Sequence, residues 1–220
     1  MKDLNQLLLK FDLKQNYKNE DFYVNNSNFF AFNLIDTWPR WEKNVLNIHG
    51  EKYCGKTHLS NIFYKQYSAF KINSCDFTNK NLMDFKIVEN LILDDFDENV
   101  DQNLMYTLFN IADQDNKYIL INSIKPINEL NFNLKDLKSR AKNCLFAKIE
   151  KPDDELMFAI LLKNFSDRQI TVEKKLIDFI IKHIDRSYGK MHEFIYKIDE
   201  ISLKKKKSID FKIIKEALKV

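Results

Sequence analysis

A chain of 220 residues with 45% hydrophobic and 30% charged side chains is long enough to bury about 70% of its unfolded surface, and a net charge of +3 is too small to argue nucleic-acid binding by itself. No apolar stretch is long enough to span a bilayer and the amide-rich start lacks a signal-peptide pattern, so a cytoplasmic location with no membrane partner is expected. Cys54, Cys75 and Cys144 show no metal or redox spacing, an odd count that suits a reducing cytosol, and His49, His58, His183 and His192 form no metal-ligand pattern.

In chain order, the first feature is Gln6-Leu7-Leu8-Leu9-Lys10-Phe11. Leu4, Leu7, Leu8 and Phe11 fit one face of a short helix. The same residues fit an anchor peptide, in which the glutamine amide fills a polar subsite while Leu9 and Phe11 enter an apolar pocket. The polar run from Lys14 to Asp21 then reads as a tether rather than a helical continuation.

Val45-Leu46-Asn47-Ile48-His49 reads as a buried strand, and it leads into Gly50-Glu51-Lys52-Tyr53-Cys54-Gly55-Lys56-Thr57. The chain has three glycines where roughly 15 are usual, and two of them stand at the G-x-x-x-x-G-K-[ST] spacing of a phosphate-binding loop. Leu59, Ile62 and Phe63 follow at helical spacing. Strand, loop and helix in this order aim successive amides and a helix N-terminus at a phosphate. Lys56 would reach the β- and γ-phosphates of ADP or ATP, and Thr57 would offer its hydroxyl to magnesium. Tyr53 and Cys54 stand where such loops use small residues. A side chain held at positive φ costs about 1–3 kcal/mol, so a modest nucleotide affinity is expected.

Strands and helices alternate beyond the loop. Strands are expected at 70–73, 90–95, 117–123 and 144–149, and helices near 101–115 and 134–142, which together predict a five-stranded parallel sheet. After Pro152 the pattern turns to helices only, near 153–165, 173–184, 189–203 and 209–219, as in a helical lid. Leu91-Ile92-Leu93-Asp94-Asp95 is an apolar strand ending in acids, downstream of a phosphate loop, where P-loop proteins place the carboxylate that holds magnesium. Asp94 is the candidate, with Asp95 beside it to orient water or the strand end; no glutamate follows Asp94 directly, so vigorous hydrolysis is not implied. By spacing alone Arg140 reads as an exposed solubilising arginine, and Lys204 to Lys207 as a solvated helix end.

Several of these motifs, taken in order, resemble the DnaA/Hda family of AAA+ proteins. They are Gly-Lys-Thr-His-Leu at 55–59, Leu-Ile-Leu-Asp-Asp-Phe-Asp at 91–97, a strand ending Asn122-Ser123, and Ser139-Arg140 before the last strand. Asp21-Phe22-Tyr23-Val24 with Ser27-Asn28, Ile35-Asp36-Thr37-Trp38-Pro39, Pro152-Asp153-Asp154-Glu155-Leu156 and Phe165-Ser166-Asp167-Arg168-Gln169-Ile170 extend the resemblance over nearly the whole chain, closest to the short regulator Hda. The resemblance implies three segments: a clamp-binding peptide and tether at 1–20, an α/β AAA+ nucleotide-binding domain at 21–151, and a helical lid at 152–220.

What it implies for function is regulation of replication initiation. Gln6, Leu7, Leu9 and Phe11 would bind the sliding clamp of DNA polymerase III; Gly50, Tyr53, Cys54, Gly55, Lys56, Thr57, Asp95, Ser123 and Lys190 would surround ADP or ATP; Thr57 and Asp94 would hold magnesium. Arg140 would act in trans on ATP bound by a DnaA initiator, with at most weak hydrolysis by the chain itself. DNA would be approached indirectly, through the clamp, and self-association into a homo-oligomer is a further expectation. Lys190 stands where the initiator has a sensor arginine, and it lacks the planar fork that grips phosphate bidentately. The sequence ends at Val220 after the last lid helix, so the helix-turn-helix module that reads origin DNA in the initiator is not expected here. Two alternatives stay open: an independent P-loop ATPase that loads or remodels a replication protein, and a DnaA-like adaptor without nucleotide chemistry.

Overall fold

The computed structural model describes residues 22–218 apart from Gln169, Thr171 and Ser208, so the candidate clamp peptide at Gln6, Leu7, Leu9 and Phe11 lies outside the described residues. Five strands form a parallel sheet: β1 (Val45–His49), β2 (Ala69–Asn73), β3 (Asn90–Phe96), β4 (Tyr118–Ser123) and β5 (Leu145–Lys148), in the order β2-β3-β4-β1-β5. The crossovers are helical, with α2 (Lys56–Gln66) after β1, α3 (Asn79–Ile87) after β2, α4 (Gln102–Gln114) after β3 and α5 (Lys135–Lys142) after β4, while α1 (Phe29–Asp36) precedes the sheet. The α/β fold expected from the sequence is present. Parallel strands joined this way put every strand C-terminus on one edge of the sheet, and β1 opens there into Gly50.

Period-two alternation explains the two faces of the sheet. Leu91, Leu93, Ile119 and Ile121 pack with α3, α4 and α5, whereas Ile92, Leu120, Leu46 and Ile48 pack with α1 and α2. Both faces are covered, so these strands read as continuous apolar runs.

Two helices went unpredicted. α1 buries only Ala31 and Ile35 within a nearly continuous apolar run, and α3 buries only Leu82 and Phe85, so neither shows a helical period. The start of α3 is fixed locally, by the Thr78 N–H donating to Asn81 Oδ1 at 2.8 Å.

After β5 come four helices, α6 (Asp154–Asp167), α7 (Lys174–His183), α8 (Tyr188–Lys205) and α9 (Phe211–Leu218). Leu161, Phe165, Ile177, Ile180, Ile198 and Ile214 give them a core of their own. Leu156 and Met157 of α6 and Tyr188 and Met191 of α8 instead join the α1–α2 face of the sheet. Asp153 joins the two layers: its side chain caps α6 at Leu156 N, 2.8 Å, and accepts from Asn25 Nδ2 at 3.0 Å. Among the described residues no helix is long and apolar enough to cross a membrane.

One polar residue pins the sheet from inside. Asn47, fully buried in β1, donates to Ile121 O at 3.1 Å and Ser123 Oγ at 2.9 Å and accepts from Ile127 N at 3.0 Å. Asn47→Ala removes these bonds and strands the Ile127 N–H, so urea unfolding should show a loss of about 2–4 kcal/mol with an unchanged slope.

Candidate functional site

The loop at the end of β1 needs its glycines. A Cβ at Gly50 would stand 2.9 Å from Ile149 O and 3.0 Å from Cys54 Sγ. Gly55 has φ +100° at the N-terminus of α2, and a Cβ there would meet the Phe22 ring at 3.0 Å. Tyr53 takes the strained conformation expected from its position, φ +68°. Its ring turns out of the loop and stacks on His192 of α8, centroids 3.8 Å apart and planes 7° apart, which recovers part of the cost. Burial, with Arg168 and Lys52 nearby, lowers the His192 pKa. Cys54 is buried, and burial pushes its thiol pKa up against the lowering effect of Lys56.

Lys56 is buried and folds back on its own loop. Its Nζ donates to Gly50 O and Glu51 O, each at 2.9 Å, and lies 3.6 Å from Cys54 Sγ. The ammonium thus lies inside the ring of backbone that would cradle a phosphate.

Thr57 meets the end of β3. Its Oγ1 lies 3.2 Å from Asp94 Oδ1, so the two residues expected together are together. Alternation from Ile92 puts Asp94 on the α2 face, and a β-bulge between Leu93 and Phe96 turns Asp95 outward, at φ +50° and exposed, its carbonyl accepting from Ser74 Oγ at 2.7 Å. The carboxylate at the phosphate loop is therefore Asp94 alone. From β4, Asn122 Nδ2 donates to Asp94 Oδ1 at 3.0 Å. Ser123, one residue on, faces the other way, donating to Lys125 O at 2.6 Å and accepting from Asn47. Strand alternation separates these two neighbours, so Asn122 meets Asp94 and Ser123, the residue expected from the sequence, lies on the opposite face of β4.

Lys71 was not anticipated. It is a charged residue between Phe70 and Ile72 in β2, and its Nζ lies 3.1 Å from Asp94 Oδ2 and 2.7 Å from Asn61 Oδ1. Thr57 and Asp94 have the donor chemistry of a magnesium site, yet both Asp94 oxygens are engaged and an ammonium already supplies the counter-charge. The expected magnesium does not fit this arrangement. Among the described residues no three His, Cys, Asp or Glu side chains gather to hold a metal.

The helices after β5 reach the loop through Glu51, a residue outside the motif's fixed positions. Glu51 caps α8: Oε1 accepts from Ser187 Oγ and from Gly189 N at 3.2 Å, and Oε2 from Tyr188 N at 3.3 Å. A carboxylate on these free amides also meets the positive end of the helix. Lys190, the expected sensor, points elsewhere, its Nζ 2.9 Å from Glu193 Oε2 on its own helix, and that pairing raises its pKa.

Arg140 lies at the opposite edge of the sheet. It pairs with Asp113 of α4, its guanidinium carbon is 5.9 Å from the Tyr106 ring centroid, and it lines a concavity of about 420 Å³ with Val45 and Cys144, at the starts of β1 and β5. The phosphate loop leaves the far end of β1, so Arg140 and Lys56 of one chain do not share a site.

Glu51→Gln should weaken the lid contact by roughly 1–2 kcal/mol. Hydrogen exchange should then quicken at the Tyr188 and Gly189 amides and stay unchanged at β4.

No family model matches the chain. Among curated proteins it is similar to the chromosomal replication initiator protein DnaA of Thermoanaerobacter sp. (strain X514), 28% identical over 234 residues, with 94% of this chain and 53% of the relative covered. The chain spans about half the length of the curated relatives it matches. Among solved structures, domain III of the Thermotoga maritima replication initiation protein DnaA superposes with a TM-score of 0.71 at 24% identity, over 92% of this chain and 95% of that one. AMPPCP-bound DnaA from Aquifex aeolicus gives 0.67 at 19% identity, over 95% and 82%. These structural likenesses speak for the fold. Among curated proteins the likeness is to relatives named DnaA.

Proposed function

We propose that this chain regulates replication initiation: it binds ADP or ATP at Gly50–Thr57, docks on the sliding clamp through Gln6, Leu7, Leu9 and Phe11, and presents Arg140 to ATP bound by a DnaA initiator. Hydrolysis of that ATP would leave the initiator in its ADP form. The observation that carries the nucleotide half is the Thr57–Asp94 contact at the mouth of a loop whose Gly50 and Gly55 leave no room for a Cβ. The AMPPCP-bound Aquifex DnaA fold supports the same ligand class. The trans role of Arg140 draws support from its distance from the chain's own phosphate loop, since from that edge it can serve only a neighbouring molecule's nucleotide. A neighbour of the same kind would give a homo-oligomer, and a DnaA initiator gives the regulatory complex. Tethering to a DNA-loaded clamp would raise the local concentration of this chain at DNA, so the docking peptide need bind only modestly. It would also hold the protein in the cytoplasm at the nucleoid.

A second reading has its own observation. Lys56 already satisfies its donors on Gly50 O and Glu51 O, as expected of a DnaA-like adaptor without nucleotide chemistry. Calorimetry separates the two. Under the nucleotide reading the parent binds ADP or ATP, and Lys56→Ala weakens binding at least about tenfold, roughly 1.4 kcal/mol. No binding by the parent at millimolar ligand supports the adaptor.

The partner chemistry is tested by hydrolysis of initiator-bound ATP in the presence of DNA-loaded clamp. Arg140→Ala should lose most of the stimulation, with about 10³–10⁵ as the upper guide from other trans arginines, while keeping its own nucleotide and clamp affinity. Gln6→Ala with Phe11→Ala should lose clamp binding and remain folded. Full stimulation by Arg140→Ala removes that residue from the mechanism, and no stimulation by the parent removes the regulatory reading.

A further inference from the structure

The ion pair between Lys71 and Asp94 is unaccounted for by the phosphate-loop motif, and it sits where the motif leads one to look for a metal. Lys71 enters from β2, on the sheet face covered by α2, and its Nζ is held from two sides, 2.7 Å from Asn61 Oδ1 and 3.1 Å from Asp94 Oδ2. The other Asp94 oxygen receives Thr57 Oγ1 at 3.2 Å, Asn122 Nδ2 at 3.0 Å and the Asp95 N–H at 3.2 Å. Side-chain exposure is 24% for the lysine and 10% for the aspartate, so water screens the pair only in part. A divalent cation between Thr57 and Asp94 would have to expel the ammonium or stand beside it, where two positive charges repel through a poorly screened medium. The ammonium already gives the carboxylate its counter-charge, without the dehydration that magnesium resists.

We propose that Lys71 takes the place of magnesium, so that this site binds nucleoside di- and triphosphates without a divalent cation. The proposal rests on the nucleotide reading above and assigns that site its metal dependence. Lys56 on the loop and Lys71 beside Asp94 then supply the positive charge facing the phosphates, as ammonium groups that need no metal ion.

The test is calorimetric titration of the full chain with ADP, once with magnesium in excess and once in EDTA. Affinity should differ by less than about twofold between the two conditions, for the parent and for Lys71→Arg, which keeps the charge. Lys71→Met keeps the stem and removes the charge, and it should bind ADP at least about tenfold more tightly with magnesium than without. A measurement on the parent alone needs no variant to fold: manganese as a paramagnetic stand-in for magnesium should give no protein-bound EPR signal in the presence of ADP. Parent affinity that rises tenfold with magnesium, or a protein-bound manganese signal, overturns the proposal and leaves the nucleotide site standing. No ADP binding in either condition overturns the nucleotide reading and this proposal with it.

Discussion

A buried carboxylate has to be surrounded by donors, and around Asp94 the surrounding is done by four separate pieces of chain. Thr57 comes from the first turn of α2, Asn122 from β4, Lys71 from β2, and the Asp95 N–H from the bulge in β3 itself. Leaving an ionised carboxylate this deep without partners would cost several kcal/mol, so each of these elements is held in register by the need to satisfy it. The bulge that supplies the Asp95 N–H also sends Phe96 to the opposite core. Without the extra residue, strict alternation would not allow Asp94 to face α2 while Phe96 returns to the opposite core.

The loop at the end of β1 is held from both sides of the molecule. Phe22, ahead of α1, closes against Gly55, and Glu51 and Tyr53 are taken up by α8 of the lid. Strain at Tyr53 is tolerated because the ring has a stacking partner in His192, whose neutral form is favoured by burial and by Arg168 and Lys52 nearby. The start of α8 and the loop after β1 are therefore joined by direct contacts.

Sheet polarity divides the molecule's chemistry in two. All strand C-termini lie at the edge that carries the phosphate loop and Asp94, while Arg140, at the end of α5, is returned by the crossover to the edge where strands begin. There it rests against Asp113 and Tyr106 of α4. An arginine on an exposed carboxylate is only weakly held, since such pairs contribute about 0–1 kcal/mol.

Local sequence determined the parts whose physics is local. The phosphate loop was legible because glycine is needed where φ is positive or backbone approaches closely, and the strands because runs such as Leu91-Ile92-Leu93 suit a sheet buried on both faces. The four helices after β5 followed from their apolar periodicity. α1 and α3 were not legible, since each buries only two side chains. Within the site, Thr57 and Asp94 were readable from motif order, but the choice between Asn122 and Ser123 depended on which face of β4 each takes, and that depends on register with β1 and β3. Lys71, Glu51 and Asp113 gave no sequence signal at all. A lone lysine in a strand, a glutamate in a loop and an aspartate on a helix surface look like ordinary solvated charges. Only tertiary packing, by carrying β2 beside β3, α8 over the loop and α4 beside α5, gives those charges their partners.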